Sequence, residues 1–409
     1  MFFNVILLFT RVWIACAYFE RLAKSPPMGW SSYQYMSERV ACMQFPEECI
    51  DEVAINDVMT NLKKHELQQA GYRYIVLTSH WRVKSPKGSD IYWMADPQRF
   101  PNGISKLRRS LHRNGMKLGL HMWSKLHQTK LAAKAAAFWR LDYVSITATR
   151  RRSNDSIDGL LPFTESLRNH GGKMFVACVG GVLSSGFRRK HDQLAWTDIL
   201  GACNSWNLGL LEIRTWDTVL ETLKNLKNND ALYFSLVGPG HWNDLGSLSF
   251  GPDCLTKEEQ KTQMAMWCLF ASPLFFSFDL NQVDQSVIDL MKNPQLISID
   301  QDTGGRMPRF VGMDNTVQLW HRELHDQSKT WVLAFMNEGD AESTLKTTLT
   351  AMQIERFPGC SLFYRITDVF NSTKVGRIPL WEIFPVVVKP HATRMFLIRG
   401  NCSEVHKSL

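Results

Sequence analysis

Short apolar runs alternate with amphipathic segments between residues 28 and 280. The apolar runs have the length of buried strands, and the segments between them carry apolar residues at helical spacing. This alternation predicts an α/β fold, a (β/α)8 TIM barrel. The predicted strands are Met28–Tyr33, Tyr72–Ser79, Lys117–Met122, Tyr143–Thr147, Met174–Val179, Ala202–Trp206, Tyr233–Val237 and Leu274–Asp279. The predicted helices include Asp51–Ala70, Gly103–Asn114, Lys130–Phe138, Thr215–Leu226 and Lys257–Phe270.

A doubly wound sheet is the alternative architecture for such an alternation. That fold binds dinucleotides through a glycine-rich turn after its first strand, and no such turn follows any predicted strand here. The barrel is therefore favoured, with residues 18–305 as its domain. In barrels of this kind, functional residues lie at the C-terminal ends of the strands.

After Asp302-Thr-Gly-Gly305 the pattern changes to short runs rich in β-branched and apolar residues, separated by turn-forming clusters. This pattern predicts a C-terminal antiparallel β-sandwich over residues 306–409. Its predicted strands are Thr316–His321, Thr330–Met336, Leu362–Asp368, Phe384–Val388 and Arg394–Ile398.

The N-terminus indicates entry into the secretory pathway. An apolar run at Phe2–Phe9 and small residues before Ala17 predict a signal peptide over residues 1–17, although Arg11 interrupts the apolar character. A buried N-terminal segment is the alternative. No later run reaches the length of a membrane span, so we expect a soluble extracellular or lysosomal protein. Three Asn-x-Ser/Thr sites predict glycosylation, at Asn154, Asn371 and Asn401.

Charge and metal-ligand patterns exclude two further classes of function. The formal net charge is +8, but the basic residues are spread along the chain and no nucleic-acid-binding fold is recognisable. We therefore predict no nucleic-acid partner. No His-x-His or Cys-x-x-Cys spacing is present, so we also predict no metal and no cofactor.

Four segments carry a family resemblance. They are Ala95–Ile104, Gly238–Asp244, Thr262–Trp267 and Ile299–Asp302, and each resembles a motif of the α-galactosidase / α-N-acetylgalactosaminidase family, glycoside hydrolase family 27. The resemblance implies a barrel followed by a sandwich. It also implies a retaining glycosidase ancestry, in which a nucleophilic Asp and an acid/base Asp lie about 5–5.5 Å apart.

The catalytic positions that the resemblance implies lack both carboxylates. Thr147 stands where the family has its nucleophile, and Leu211 stands where the family has its acid/base. A threonine hydroxyl cannot replace an anionic carboxylate, and a leucine has no proton to donate. Glu212 could take the second role only if the loop register were shifted by one residue.

The sugar-binding positions implied by the resemblance have changed in the same way, since the carboxylates, lysine, tyrosine and arginine of the family are replaced. The positions are Thr78, Ser79, His80, His121, Ser145, Val179 and Asn207. A site without its matched hydrogen-bonding groups discriminates poorly for galactose.

The cysteines follow the family in part. The resemblance implies disulfides Cys42–Cys49 and Cys178–Cys203, whereas two bridges of the family are absent at both partners. Cys268 is expected to be a buried free thiol in an apolar helix. The pairing of the other cysteines, Cys254, Cys360 and Cys402, is left open by the sequence.

The prediction is a non-hydrolysing relative that binds a glycan or a protein, as a homodimer or as a heterodimer with an active family member. The alternatives are an active glycosidase with a displaced carboxylate and a different chemistry at the same barrel. Two basic runs after the fourth and fifth strands could steer an anionic glycan to the mouth, but a solvated loop face is the favoured interpretation of such charge runs. They are Arg150-Arg151-Arg152 and Arg188-Arg189-Lys190.

Overall fold

The structure is a computed structural model of the chain. It describes residues 23–32, 50–78, 81–83, 94–122, 129–147, 149–150, 157–158, 160–179, 199–207, 213–228, 236–251, 254–325, 330–354 and 360–402. The chain forms two compact units. The barrel unit contains the residues up to Ile213 together with Gly240–Gly251 and Pro273–Ile288, and the sandwich unit contains the rest.

Eight parallel strands form the barrel, as the sequence predicts. Their order in the sheet is β8-β1-β2-β3-β4-β5-β6-β7, and a parallel bridge between Leu248 and Phe276 joins the segment after β7 to β8. The strands are β1 Met28–Ser31, β2 Tyr74–Leu77, β3 Lys117–His121, β4 Tyr143–Thr147, β5 Phe175–Val179, β6 Ser205–Asn207, β7 Trp242–Asp244 and β8 Leu274–Phe276.

Local sequence sets where the helices begin. Asp51 accepts a hydrogen bond from the backbone N of Ala54 at 2.7 Å and caps the first helix. Thr256 and Glu259 form a capping box at the helix before β8. The helices are α1 Glu52–Lys64, α2 Leu67–Ala70, α3 Gly103–Arg113, α4 Thr129–Trp139, α5 Leu160–Asn169, α6 Trp216–Asn228, α7 Lys257–Leu269, α8 Gln285–Met291 and α9 Pro294–Asp300.

Aromatic rings fill the barrel interior near the beginnings of the strands. The rings of Tyr143 and Phe175 stack at 5.3 Å, and Tyr143 also contacts Phe275 at 5.5 Å. Because β4 and β8 are not neighbours in the sheet, the second contact crosses the barrel interior. A Cβ on Gly119 would lie 2.8 Å from the Tyr143 ring, so a glycine is required beside it.

The sandwich unit contains a six-stranded antiparallel sheet and a two-stranded one. One face of the larger sheet packs on the smaller sheet through alternate residues such as Leu333 and Phe335, and its other face contacts α7. The larger sheet has the order β9-β10-β11-β16-β13-β14, and the smaller pairs β12 with β15. The strands are β9 Arg309–Asp314, β10 Val317–Glu323, β11 Thr330–Asn337, β12 Ser343–Thr347, β13 Cys360–Asp368, β14 Lys374–Pro379, β15 Phe384–Val388 and β16 Thr393–Cys402.

The seventh barrel strand is the one that the sequence misplaces. It is Trp242–Asp244, whereas the predicted run Tyr233–Val237 contributes no strand at Leu236 or Val237 and otherwise lies outside the described residues. An apolar run alone does not distinguish a strand from a buried helical segment. The true strand was hidden because two of its three residues are polar.

No helix among the described residues is long and apolar enough to cross a membrane. The predicted signal peptide lies outside the described residues. Of the predicted glycosylation sites, Asn371 is exposed in the turn between β13 and β14, Asn401 lies near the end of β16, and Asn154 lies outside the described part of the chain.

Candidate functional site

The C-terminal ends of β1–β8 form the barrel mouth, where a barrel of this type places its functional groups. One carboxylate, Asp244, is present among the eight residues that end the described strands. These residues are Ser31, Leu77, His121, Thr147, Val179, Asn207, Asp244 and Phe276. These eight side chains form the ring of strand-ending side chains. Apart from Asp244 and the titratable imidazole of His121, each of them is either uncharged and polar or apolar.

His121 and Ser145 form the first polar pair of the mouth. The Nδ1 atom of His121 lies 2.9 Å from the Ser145 Oγ, since β3 and β4 place the two residues in register. Burial, together with the positive charge of Arg82, lowers the pKa of His121 to about 4. The imidazole is therefore neutral at pH 5 and above, and Ser145 itself is buried.

The indole of Trp81 hydrogen-bonds to the backbone of this pair. Its Nε1 atom donates to the backbone O of His121 at 3.4 Å, and its ring packs edge-on against Trp139 at 5.8 Å. Trp81 is almost completely buried. Trp81 thus holds the backbone of His121, whereas Ser145 bonds its imidazole.

Ser32 and Thr78 form a second polar pair, between the ends of β1 and β2. Their hydroxyl oxygens lie 3.1 Å apart, and the Thr78 backbone N donates to the Ser32 Oγ at 2.9 Å. Thr78 is a partly exposed residue at this end of the barrel.

Asn207 and Asp244 form the third pair. They are register partners at the ends of β6 and β7, and the Asn207 Nδ2 atom donates to the backbone O of Asp244 at 3.3 Å. Burial raises the pKa of Asp244 to about 6, against hydrogen bonds from Gly246 N and the Asn207 amide that lower it. Asp244 is half-buried as a residue, and its carboxyl group becomes neutral in mildly acidic solution.

A disulfide and an asparagine hold β5, β6 and β7 in place. The disulfide Cys178–Cys203 joins the end of β5 to the segment before β6. The buried side chain of Asn204 accepts from Val176 N at 2.9 Å and donates to Gly240 O at 3.1 Å. The segment Cys203-Asn204 before β6 therefore positions strands.

The remaining predicted site residues fall in two groups. Thr147 and Val179 are register partners at the ends of β4 and β5, and Arg150 pairs with Ile157 in a short two-stranded ribbon after β4. The others lie outside the described residues. They are Ser79, His80, Leu211, Glu212, Arg151, Arg152, Arg188, Arg189, Lys190, Cys42 and Cys49.

Asp244 is a functional candidate that the sequence indicates only as the last residue of the family-like segment Gly238–Asp244. Its position as the last residue of a barrel strand would have identified it, because strand ends carry function in this fold. That signal was missed because the seventh strand had been assigned to Tyr233–Val237.

Comparison with known proteins places this geometry in a family. Residues 25–302 match the Melibiase_2 family, described as alpha galactosidase A. The chain belongs to this family. The matched stretch holds all eight barrel strands and extends through α9, so membership rests on the whole barrel.

Two relatives that are similar in sequence span most of the chain. The α-N-acetylgalactosaminidase of Gallus gallus is 25% identical over 390 residues, covering 92% of this chain and 94% of its own. The α-galactosidase A of Homo sapiens is 25% identical over 359 residues, covering 85% and 82%. The crystal structure of α-galactosidase I from Mortierella vinacea has a TM-score of 0.75 at 20% identity, covering 93% and 98%. That last comparison shows a shared fold.

Proposed function

We propose that this member of the alpha galactosidase A family does not hydrolyse glycosides and acts by binding a glycan at the barrel mouth. The observation that carries the proposal is the single carboxylate among the eight strand-ending residues. A retaining glycosidase needs two carboxyl groups about 5–5.5 Å apart. The position implied for the nucleophile, Thr147, ends β4 without one.

The three polar pairs of the mouth suit a neutral ligand. The His121 imidazole is neutral above a pKa of about 4, and the Asp244 carboxyl is protonated below a pKa of about 6. Between these values the ring of strand-ending side chains carries no full charge. Hydroxyl, amide and imidazole groups then remain as hydrogen-bond donors and acceptors, which is what the hydroxyls of a sugar require.

Hydrolysis is the second candidate function, and family membership favours it. The acid would have to be Glu212, next to the position where the resemblance implies the acid/base residue. Thr147 would still leave the nucleophile missing, so Asp244 would be the remaining carboxylate at a strand end. This candidate therefore predicts that both Glu212 and Asp244 are required for turnover.

Hydrolysis of aryl α-galactoside and aryl α-N-acetylgalactosaminide from pH 4 to 7 separates the two candidates. The chain, its Glu212→Gln variant and its Asp244→Asn variant would be compared with an active family member. We expect no turnover above background from any of the three proteins. Turnover by the wild-type chain would refute the proposal, and its loss in both variants would establish a displaced catalytic pair.

Binding is tested on the same proteins with a glycan array at pH 5. We expect retention of uncharged galactose-type or related glycans, and at least 10-fold weaker binding when Ser145→Ala and Asn207→Ala are combined. Equal binding by the wild-type protein and this double variant would place the glycan site elsewhere.

A further inference from the structure

A row of three arginine side chains crosses three neighbouring strands of the sandwich. Arg365 on β13 lies directly opposite Arg377 on β14 and directly opposite Arg399 on β16. All three side chains are exposed. Neighbouring strands lie about 4.8 Å apart, so this arginine row extends over about 10 Å of the sheet surface.

The arginine row is not neutralised within the described part of the chain. No hydrogen bond or ion pair between described residues reaches any of the three guanidinium groups. Arg394, also on β16, differs because it pairs with Asp368 at 3.2 Å. Like charges directly opposite each other on a sheet are destabilising. The arginine row therefore costs stability unless an anion occupies it.

Apolar side chains lie beside the charges. Phe363 is two residues before Arg365 on the same strand face and is 51% exposed, and Val375 near Arg377 is 49% exposed. A ligand that covers the arginine row would contact the three guanidinium groups and also an apolar surface. Polysaccharides offer this combination, since their rings have apolar faces and their substituents can be anionic.

We propose that the arginine row binds a sulfated polysaccharide. Guanidinium groups donate two parallel hydrogen bonds to oxyanions, and a linear chain with repeated sulfates meets several arginines of a row at once. The predicted secretory route brings the protein to sulfated glycans and away from nucleic acids. The proposal is independent of the barrel mouth and stands whether or not the barrel hydrolyses glycosides.

Isothermal titration with a heparin hexasaccharide at about 0.15 M salt tests the proposal. The variant is the triple substitution Arg365→Gln, Arg377→Gln and Arg399→Gln. We expect it to bind at least 10-fold more weakly than the wild-type protein, and wild-type binding to weaken on raising the salt to about 0.5 M. No measurable binding by the wild-type protein, or equal binding by both, would overturn the proposal.

A matched control removes the same three charges elsewhere in the sandwich unit. Lys224 on α6, Lys346 on β12 and Lys389 after β15 are exposed lysines, and the control replaces each of them by Gln. We expect its affinity for the hexasaccharide to change less than 2-fold. If the lysine control loses as much affinity as the triple arginine variant, the effect comes from net charge alone, and the assignment of a site is overturned.

A second control separates the arginine row from the barrel mouth. Replacing Arg150, Arg151 and Arg152 by Gln should leave the hexasaccharide affinity within 2-fold of wild type. A 10-fold loss in this variant, with normal binding by the arginine-row variant, would move the anion site to the barrel mouth. Tighter binding of an oligonucleotide or of phosphatidylserine vesicles than of the hexasaccharide would overturn the choice of ligand.

Stability provides a readout that a merely structural arginine would not show. The single substitution Arg365→Gln removes both like-charged pairs, so we expect the thermal midpoint to rise by about 1–3 °C while binding weakens. A fall in the midpoint with unchanged binding would assign Arg365 to the structure of the sheet instead.

An independent observation concerns two cysteines of the same strands. Cys360 on β13 and Cys402 on β16 are direct register partners. Opposed residues of antiparallel strands have Cα atoms about 4.5–5.5 Å apart, within the range that a disulfide spans. The sequence left these cysteines unassigned, and the structure places their backbones side by side.

We infer that Cys360 and Cys402 form a disulfide that ties the C-terminal end of β16 to β13. The two thiols lose two protons and two electrons to a protein disulfide oxidant of the secretory pathway, whose own disulfide is reduced to two thiols. The bond would close a long loop and so disfavour the unfolded chain.

Peptide mapping by mass spectrometry tests this bond. Free thiols of the denatured, unreduced protein are blocked with N-ethylmaleimide before digestion, and Cys178–Cys203 shows that the preparation is oxidised. We expect a linked peptide pair containing Cys360 and Cys402, with Cys254 and Cys268 alkylated. Alkylated Cys360 and Cys402 in a sample where Cys178–Cys203 is intact would overturn the inference.

Discussion

Buried polar groups are arranged differently at the barrel mouth and in the sandwich unit. At the mouth, His121 and Ser145 form a neutral pair, and the one strand-ending carboxylate, Asp244, has a pKa raised to about 6. In the sandwich unit, the fully buried Arg322 bonds to Asp302 at 3.3 Å, and to the backbone O atoms of Cys268 and Leu269.

A second cluster of the sandwich unit also contains charged side chains that bond to one another. The Nδ1 atom of His391 lies 2.6 Å from Glu259, its Nε2 atom lies 2.9 Å from Asp340, and its ring stacks on Trp216 at 4.6 Å. Among the described residues, charged groups are thus present where they join α6, α7 and the strands, and Asp244 is the one carboxylate at a strand end of the mouth. This difference agrees with the proposal that the barrel binds a glycan without hydrolysing it.

The largest expected effect comes from breaking the buried ion pair. Arg322→Ala leaves Asp302 without its partner and removes two hydrogen bonds to α7, so we expect a loss of about 3–5 kcal/mol in the free energy of unfolding. Urea denaturation measures it. The matched control is Arg394→Ala, which breaks a partly exposed pair with Asp368 and should cost about 0–1 kcal/mol. Similar losses in the two variants would contradict the contrast between buried and exposed charge.

The next effect concerns His391. Its backbone has a φ of 55°, which asparagine tolerates, so His391→Asn changes the imidazole with little backbone strain. Loss of the bonds to Glu259 and Asp340 and of the stack on Trp216 should lower the free energy of unfolding by about 1–3 kcal/mol. Asp340→Asn is the control, because that carboxylate is almost fully exposed and should contribute under about 0.5 kcal/mol. A His391→Asn protein as stable as wild type would remove this cluster from the comparison.

Asp244 gives the barrel mouth a pH dependence of a definite sign. Its pKa is raised from 3.8 to about 6 in the folded protein, so folding binds a proton in this interval and stability falls as pH rises from about 4 to 6. Since Asp244 is half-buried as a residue, we expect the free energy of unfolding to change by about 1–2 kcal/mol over this interval. Asp244→Asn should remove this contribution, as measured by urea midpoints at pH 4 and pH 6.5. An unchanged difference between the two midpoints would show that Asp244 titrates normally.

Much of this fold can be predicted from the sequence, for reasons visible in its strands. Seven barrel strands are predictable because their apolar runs are buried on both sides, as at Tyr74–Leu77. The seventh, Trp242–Asp244, is missed because Asn243 and Asp244 are polar residues that the barrel encloses. In the sandwich, β9, β12 and β14 are missed because their residues are mostly exposed or half-buried and resemble loops.

The candidate site is less predictable than the fold. Patterns along the chain place Ser145 and Thr147 at a strand end, but they do not reveal that Ser145 bonds to His121. The arginine row is equally hidden, since Arg365, Arg377 and Arg399 are distant in sequence and only the strand register aligns them. Pairing between strands is long-range information that periodicity does not contain.

The smallest expected effect tests the neutral pair at the mouth. The pKa of His121 is lowered from 6.5 to about 4, so its contribution to stability is lost as pH falls through this interval, with a sign opposite to that of Asp244. Ser145→Ala removes the hydroxyl that bonds the ring and should cost about 1 kcal/mol at pH 7. His121→Gln should abolish the loss between pH 6.5 and 4 while leaving the Asp244 contribution in place. If Ser145→Ala costs nothing and His121→Gln leaves the pH profile unchanged, His121 is solvated at the mouth, and the contrast with the ion pairs of the sandwich unit rests on Asp244 alone.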